Sequence, residues 1–200
     1  MLRTICGQNG ICPSSFTIRE QAVKKNGERC IGSGGFADVY LGICRGEEVA
    51  LKVWRIRDEE AMKDFCKEAV VLNSLRHENI TSFYGVETNL FPLCLVCEWM
   101  PFGTIVSYLK NQPSANRLTL LVDIVAGLSD LHNMDIIHGD LKGSNILING
   151  QHRACLCDFG LAAFTYGGRT MGTTSIKATT TVGRRQKLWI PSDLDFRGPM

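Results

Sequence analysis

The segment IIHGDLKGSNILIN, residues 136–149, sets an acid, an ammonium group and an amide close together: Asp140, Lys142 and Asn145. Apolar runs flank it on both sides. Asp140 is suited to orienting a hydroxyl or accepting its proton. Lys142 is suited to neutralising a phosphate in transfer, and Asn145 offers a carbonyl oxygen to a hard cation such as Mg²⁺. A polar turn between a helix and a strand would use the same residue types. Further on, Asp158 stands in CDFG, after an apolar strand and before a glycine that permits a sharp turn. An Asp and an Asn at the ends of two neighbouring strands can share a metal site.

Three features nearer the start could serve the same chemistry. The turn GSGGFADV, residues 32–39, is glycine-rich, and glycines let backbone N–H groups approach phosphate closely. A dinucleotide-binding turn would be followed at once by a helix. Here DVYLGI continues as strand, so a hairpin would have to cover any phosphates. Lys52 lies in VALKVW, where alternation puts Ala50 and Lys52 on one face and Leu51 and Val53 on the other. Glu68 shares the helical stripe of Phe65 and Leu72. A carboxylate on a buried stripe is costly without a partner, and Lys52 is the candidate. The alternative is that Glu68 sits at the stripe's edge and reaches water.

These groups need elements to hold them. Strands joined by tight turns are expected over RCIGSGGFADVYLGI and EEVALKVWRI. A helix is expected over 58–75, with Asp58, Glu59 and Glu60 in its first turn and Phe65, Leu72 and Leu75 on its buried face. Strands near 80–86 and 93–98 follow, then a short helix near 104–109 and a longer one near 118–133. In the longer helix Leu118, Leu121, Val122, Val125, Leu128 and Leu131 keep helical spacing. Strands at 146–148 and 154–157 flank the acid-bearing loop. Residues 1–24 read as a polar, irregular leader. Residues 164–200, threonine-rich and basic, read as a loop or tail.

Composition narrows the classes. Apolar residues are 44% and charged residues 21% of 200, as in ordinary globular proteins. A net charge of +2 argues against a dedicated nucleic-acid binder. No apolar run reaches the roughly 18 residues of a membrane span, and no signal peptide is visible, so a cytoplasmic protein is expected. Nine cysteines, an odd count, do not suggest a disulfide framework. Cys94 with Cys97 and Cys155 with Cys157 could hold zinc, or they could be buried free thiols in strands.

Taken in order, GSGGFADV, VALKVW, Glu68, HGDLKGSN and DFG closely resemble the signature set of the protein kinase family over about residues 28–163. LRHENI and LVCEWMPFG resemble its connector and hinge. The resemblance implies an α+β fold with a five-stranded small lobe, about 25–97, and a partial helical large lobe, about 101–163. It also implies ATP and Mg²⁺ as cofactors and transfer of the γ-phosphoryl group to protein hydroxyls. By resemblance Cys97 is the gatekeeper, Glu98–Met100 bond adenine, and Val39, Ala50 and Leu147 sandwich it. Gly32 and Gly34 would cover the phosphates. Lys52, held by Glu68, would bind the α- and β-phosphates. Asp158 and Asn145 would hold Mg²⁺, and Asp140 would be the base. Lys142 resembles Ser/Thr-directed kinases, and HGDLKGSNIL resembles the tyrosine kinase-like group, fungal members in particular. Leu72, Phe83, His138 and Phe159 would stack between the lobes.

Departures from the family pattern matter too. Ala37 replaces the third glycine of the phosphate loop. Gly139 replaces the arginine that in the family pairs with an activation-loop phosphate, so that control is expected to be absent. Beyond Gly160 the A-P-E motif and the large-lobe helices are not matched, so a truncated or altered lobe is expected that leaves the apolar face of 118–131 uncovered and the chain a poor or inactive kinase; the alternative is that a partner chain or the tail covers that face. Two other readings stay open: a non-catalytic ATP-binding or regulatory fragment and, remotely, a zinc-dependent interaction module.

Overall fold

The computed structural model describes residues 11–19, 22–34, 37–55, 58–166 and 169–171. The first lobe is an antiparallel five-stranded sheet in the order β1-β2-β3-β5-β4. Its strands are β1 (Val23–Ser33), β2 (Ala37–Cys44), β3 (Glu47–Trp54), β4 (Phe83–Glu87) and β5 (Cys94–Glu98). Arg45 and Gly46 both have positive φ, 52° and 91°, between the paired residues Cys44 and Glu47. That is the tight two-residue hairpin whose twist matches its strands. Alternation along β3 then sorts the side chains as expected. Val49, Leu51 and Val53 enter a small core with Val23, Cys44, Cys94 and Val96. Ala50 and Lys52 point to the other face.

Helix α1 (Glu59–Ser74) lies against that other side of the sheet. Asp58 caps it, accepting from the Ala61 N–H at 2.8 Å, and Glu59 and Glu60 complement its dipole. Phe65, Leu72 and Leu75 are buried, as their spacing predicts. The connector after α1 is tied to the second lobe. Leu156 donates its N–H to Asn79 O at 2.9 Å, and Thr81 donates its N–H to Leu156 O at 3.0 Å. The Asn79 side chain donates to Ala154 O at 2.9 Å.

The second lobe contains α2 (Ile105–Asn111), α3 (Arg117–Asn133), β6 (Ile136–Ile137), the hairpin β7 (Ile146–Ile148) and β8 (Ala154–Leu156), then β9 (Ala163–Tyr166) and β10 (Arg169–Met171). Thr104 and Asn116 cap the two helices. The apolar stripe read along α3 divides. Leu128 and Leu131 turn inward with Leu120 and Ile124, whereas Leu118, Val122 and Val125 are 68%, 59% and 55% exposed.

Two expectations are corrected. The supposed leader is partly structural: Phe16 packs edge-on against Phe83, and Ile18 donates its N–H to Val86 O at 2.9 Å. Residues 12–18 form a strap across β4. The segment from Phe164 is not simply loop, because β9 pairs with β6 and with β10. The rest of the expected tail lies outside the described residues. β8 also ends at Leu156, one residue earlier than expected.

Gly85 makes the strap's approach feasible. Its φ is +147°, and a Cβ there would lie 2.5 Å from Phe16 O. Gly85→Ala is therefore expected to destabilise the fold by about 1–3 kcal/mol, read as a lower urea midpoint. It should also speed proteolysis within the strap. Unchanged protection would mean that the strap does not depend on this contact.

Candidate active site

Lys52 is the centre of the site. Register across the sheet sets Gly32 beside Val39, Val39 beside Lys52, and Lys52 beside Leu95. Lys52 Nζ donates to Glu68 Oε1 at 2.7 Å and to Asp158 Oδ1 at 2.8 Å. Glu68 is 2% exposed, so it does not reach water at the edge of its stripe. Burial pushes its carboxyl above the ordinary carboxylate range, against the pull of Lys52. Burial alone would lower Lys52, but Glu68 and Asp158 outweigh it and hold the ammonium form well above its usual range. Asp158 feels the same balance: burial raises it, Lys52 outweighs burial, and its carboxyl ends below the ordinary value. The centre is thus an ammonium with the Asp158 carboxylate on one side and Glu68, raised by its burial, on the other.

The acid-bearing loop is held from β8. His138 is fully buried, and its Nε2 lies 3.0 Å from Cys157 O. The Asp140 N–H donates to His138 Nδ1 at 3.4 Å. A carbonyl can only accept, so the ring is neutral with its proton on Nε2. Burial lowers its pKa and supports that state. Asn145 Nδ2 donates to Asp140 O and to Asp140 Oδ2, both at 2.9 Å. Lys142 Nζ reaches the same Oδ2 at 2.7 Å, and the Asp140 carboxylate keeps this lysine protonated. The Cys157 N–H donates to Asn145 O at 3.0 Å, which extends the β7–β8 ladder. Asn145 just before β7 and Asp158 just after β8 are thus brought to the same end of one hairpin. Asp158 has φ 64°, a sparsely used region for a non-glycine residue that is tolerated mainly where function needs it.

The other residues singled out in the sequence fall around the cleft. Ala50 pairs with Cys97, and both are half-buried, as are Val39 and Leu147. Glu98 is anchored by its N–H to Ser82 O at 2.9 Å and by Ser82 Oγ to its carboxylate at 2.8 Å. Met100 is buried, and its carbonyl accepts from the Gly103 N–H at 3.1 Å. Gly32 and Gly34 flank the glycine turn, whose tip at 35–36 lies outside the described residues. Leu72, Phe83, His138 and Phe159 are all buried, with the His138 and Phe159 rings 5.0 Å apart. Gly139 has φ +82°, and a Cβ there would meet Leu161 O. This backbone therefore selects glycine where the family pattern has arginine.

Sequence reasoning missed two groups. Arg55 donates to Gly34 O and lies 3.5 Å from Asp38, bracing the glycine turn. Asp123 is fully buried on α3 and takes both Nε and Nη2 of Arg153 and the Ala154 N–H. It fastens α3 to β8. The zinc alternative fails on geometry. Cys94 packs in the small outer core while Cys97 faces the cleft, so the two point to opposite faces of β5.

A five-stranded lobe, a helix carboxylate paired with a strand lysine, and an acid loop tied to a DFG turn together define a protein kinase fold. A family profile, protein tyrosine and serine/threonine kinase, matches residues 26–182. The chain belongs to that family. It is 37% identical over 138 residues to the serine/threonine-protein kinase STY46 of Arabidopsis thaliana, covering 66% of this chain and 24% of that protein. It is 34% identical over 166 residues to a putative leucine-rich repeat receptor-like serine/threonine-protein kinase of the same plant, covering 78% and 19%. It is 35% identical over 151 residues to the probable serine/threonine-protein kinase drkA of Dictyostelium discoideum, covering 70% and 23%. The chain thus spans about a quarter or less of these relatives' lengths. None of the three is fungal. No helix among the described residues is long and apolar enough to cross a membrane.

Proposed function

We propose that the chain carries the catalytic groups of an ATP-dependent protein kinase that transfers the γ-phosphoryl group to Ser or Thr hydroxyls. The observation that carries this reading is Lys52, bonded at once to Glu68 and Asp158 beside the Asp140–Asn145 loop. The donor set fits Mg²⁺, since Asp158 and Asn145 present hard oxygens at one end of the β7–β8 hairpin. Bound there, Mg²⁺ would neutralise phosphate charge.

The chain's own residues supply the rest. Val39, Ala50 and Leu147 give an apolar slot for adenine, closed by Cys97 and edged by the Glu98–Met100 backbone. Gly32 and Gly34 allow backbone to lie over phosphates. Lys52 binds the α- and β-phosphates, kept charged and in place by Glu68. Asp140 orients the acceptor hydroxyl and takes its proton. Lys142 and Asn145 both bind Oδ2 of Asp140, and Oδ1 accepts no hydrogen bond among the described residues. Lys142 beside the base supports a Ser/Thr preference, as do the serine/threonine-protein kinases among the relatives.

A non-catalytic nucleotide-binding role is the second reading. It is favoured by the exposed row Leu118, Val122 and Val125 on α3, an apolar face that a stable large lobe would cover with another segment or partner.

Transfer of labelled phosphate from ATP to a generic protein substrate separates the two. Binding alone is read by heat. Mg²⁺ and ATP at about 100 times the dissociation constant stabilise by about 2.7 kcal/mol, a rise of about 5–10 °C. Lys52→Ala and Asp158→Ala are each expected to remove most of that rise. A rise unchanged in both would place the nucleotide elsewhere. Because Gly139 cannot pair with phosphate, phosphatase treatment is expected to leave the transfer rate unchanged. Loss of activity on dephosphorylation would contradict that.

A further inference from the structure

Two exposed aliphatic side chains beside the acid-bearing loop have no part in the chemistry so far, Val106 of α2 and Leu161 after the DFG turn, 48% and 53% exposed. On α2, Tyr108 is buried and Ile105 and Leu109 pack against the core, which leaves Val106 on the outer side of the helix. There it lies against the loop: a Cβ on Gly143 would stand 2.7 Å from Val106 Cγ2. Leu161 lies against the other end of the loop, where a Cβ on Gly139 would stand 3.2 Å from Leu161 Cβ. Asp140 lies between these two glycines, its Oδ2 held by Lys142 and Asn145. Gly139 and Gly143 are at most about 14 Å apart along the chain. An extended peptide rises about 3.4 Å per residue, so a segment of about four residues spans the two.

We propose that Val106 and Leu161 are specificity-determining walls of the acceptor site, selecting protein segments with large aliphatic residues on both sides of the reacting Ser or Thr. The proposal rests on the kinase reading above and names the substrate class of that site. An aliphatic residue laid against each wall removes apolar surface of both partners from water. Charge points the same way. α2 bears no carboxylate and carries Lys110 in its last turn, and Lys142 stands beside Asp140. Asp140 and Asp158 are already paired with Lys142 and Lys52. An Arg or Lys next to the acceptor would therefore meet like charge and find no carboxylate on α2. An acidic residue there would lose water against Val106 or Leu161.

Single exposed aliphatic residues are common on protein surfaces. Position sets these two apart. Each is seated on a glycine, and the two glycines bracket one carboxylate whose Oδ1 accepts no hydrogen bond among the described residues. Leu118, exposed to a similar degree on α3, has no such setting and serves as the control.

The test uses the full chain with Mg²⁺ and three serine peptides that carry Leu, Arg or Glu on both sides of the serine and alanine elsewhere. Transfer is followed with ATP. Binding is followed by fluorescence anisotropy of the labelled peptides with a non-hydrolysable ATP analogue. The Leu peptide is expected to lead each of the others by about tenfold in kcat/KM and in Kd, through KM and not kcat. Val106→Glu should reverse the order so that the Arg peptide leads. Leu161→Ala should reduce the Leu preference, and Leu118→Glu should leave the order as in the wild type. The thermal shift given by ATP and Mg²⁺ reports that each variant is folded; if Val106→Glu lost it, Leu161→Ala decides. Equal transfer to the three peptides, a wild-type preference for Arg or Glu, or an order unchanged in a folded Val106→Glu would overturn the proposal and leave the kinase reading in place. Preferential binding of the Leu peptide without transfer would uphold the walls and overturn the kinase reading. Neither binding nor transfer of any peptide would overturn both.

Discussion

Asp140→Asn is expected to lower phosphoryl transfer by about 10²–10⁴-fold, the usual contribution of a positioned general base. The rise in Tm given by ATP and Mg²⁺ should survive. The asymmetry follows from where Asp140 sits. Its backbone is held by His138 and Asn145, and Asn145 bonds to its carbonyl as well as its carboxylate. An amide at this position keeps the loop's shape but gives up proton affinity and the charge opposite Lys142. On the proposed reading nucleotide binding rests on Lys52 and Asp158, which pair with each other, and Lys52 with Glu68 as well, apart from that loop. Steady-state phosphorylation and thermal shift on one preparation check both halves. Equal transfer rates for wild type and Asp140→Asn would remove Asp140 from the chemistry. Loss of the thermal shift would mean the loop also shapes the nucleotide site.

Asp123→Ala is expected to be the most destabilising single change outside the apolar core. Asp123 is fully buried and accepts from Arg153 through two nitrogens and from the Ala154 N–H at 3.0 Å. Breaking such a pair costs about 3–5 kcal/mol when both partners are buried. Arg153 is 42% exposed and regains water, so a value near 3 kcal/mol is expected. A lower urea midpoint at unchanged slope would report it. The same contact sets an acid limit. Burial would raise the Asp123 carboxyl, but Arg153 and the Ala154 N–H hold it below the ordinary value. A depressed carboxylate contributes stability that is present above its unfolded pKa of about 3.9 and is lost as pH falls through the lower folded value. The wild type should therefore lose stability faster than Asp123→Ala as the medium is acidified below about pH 4. Parallel pH profiles for the two would show that the carboxylate is not the responsible group.

The reading of Glu68 from its neighbours Phe65 and Leu72 was possible because a helix with one apolar stripe makes a lone carboxylate conspicuous. Lys52 was legible for the complementary reason, since alternation in VALKVW fixes its face. Asp123 was hidden because α3 is apolar on two sides, so the repeat at 118–131 fits either face and an acid looks solvated. The strap was hidden because its hold on β4 comes from a backbone bond and one ring contact, which leave no periodicity. Strands β6, β9 and β10 have two to four residues each, too short for alternation to register. β6 and β9 exist because each meets a non-local partner with a matching backbone edge, and β10 pairs with its neighbour β9. Arg55 carries no local signal of its bond to Gly34, because the two are 21 residues apart in sequence.

The ties from Asn79 and Thr81 to β8 make α1 a lever. Its C-terminal end is pinned to the second lobe through the connector, so any tilt of the helix would pivot near Leu75. Glu68 sits about 10 Å along the arm at 1.5 Å per residue, and a tilt of about 20° would carry it about 4 Å. That displacement exceeds the reach of its 2.7 Å bond to Lys52. A small rotation near the connector would thereby be amplified into loss of this ion pair.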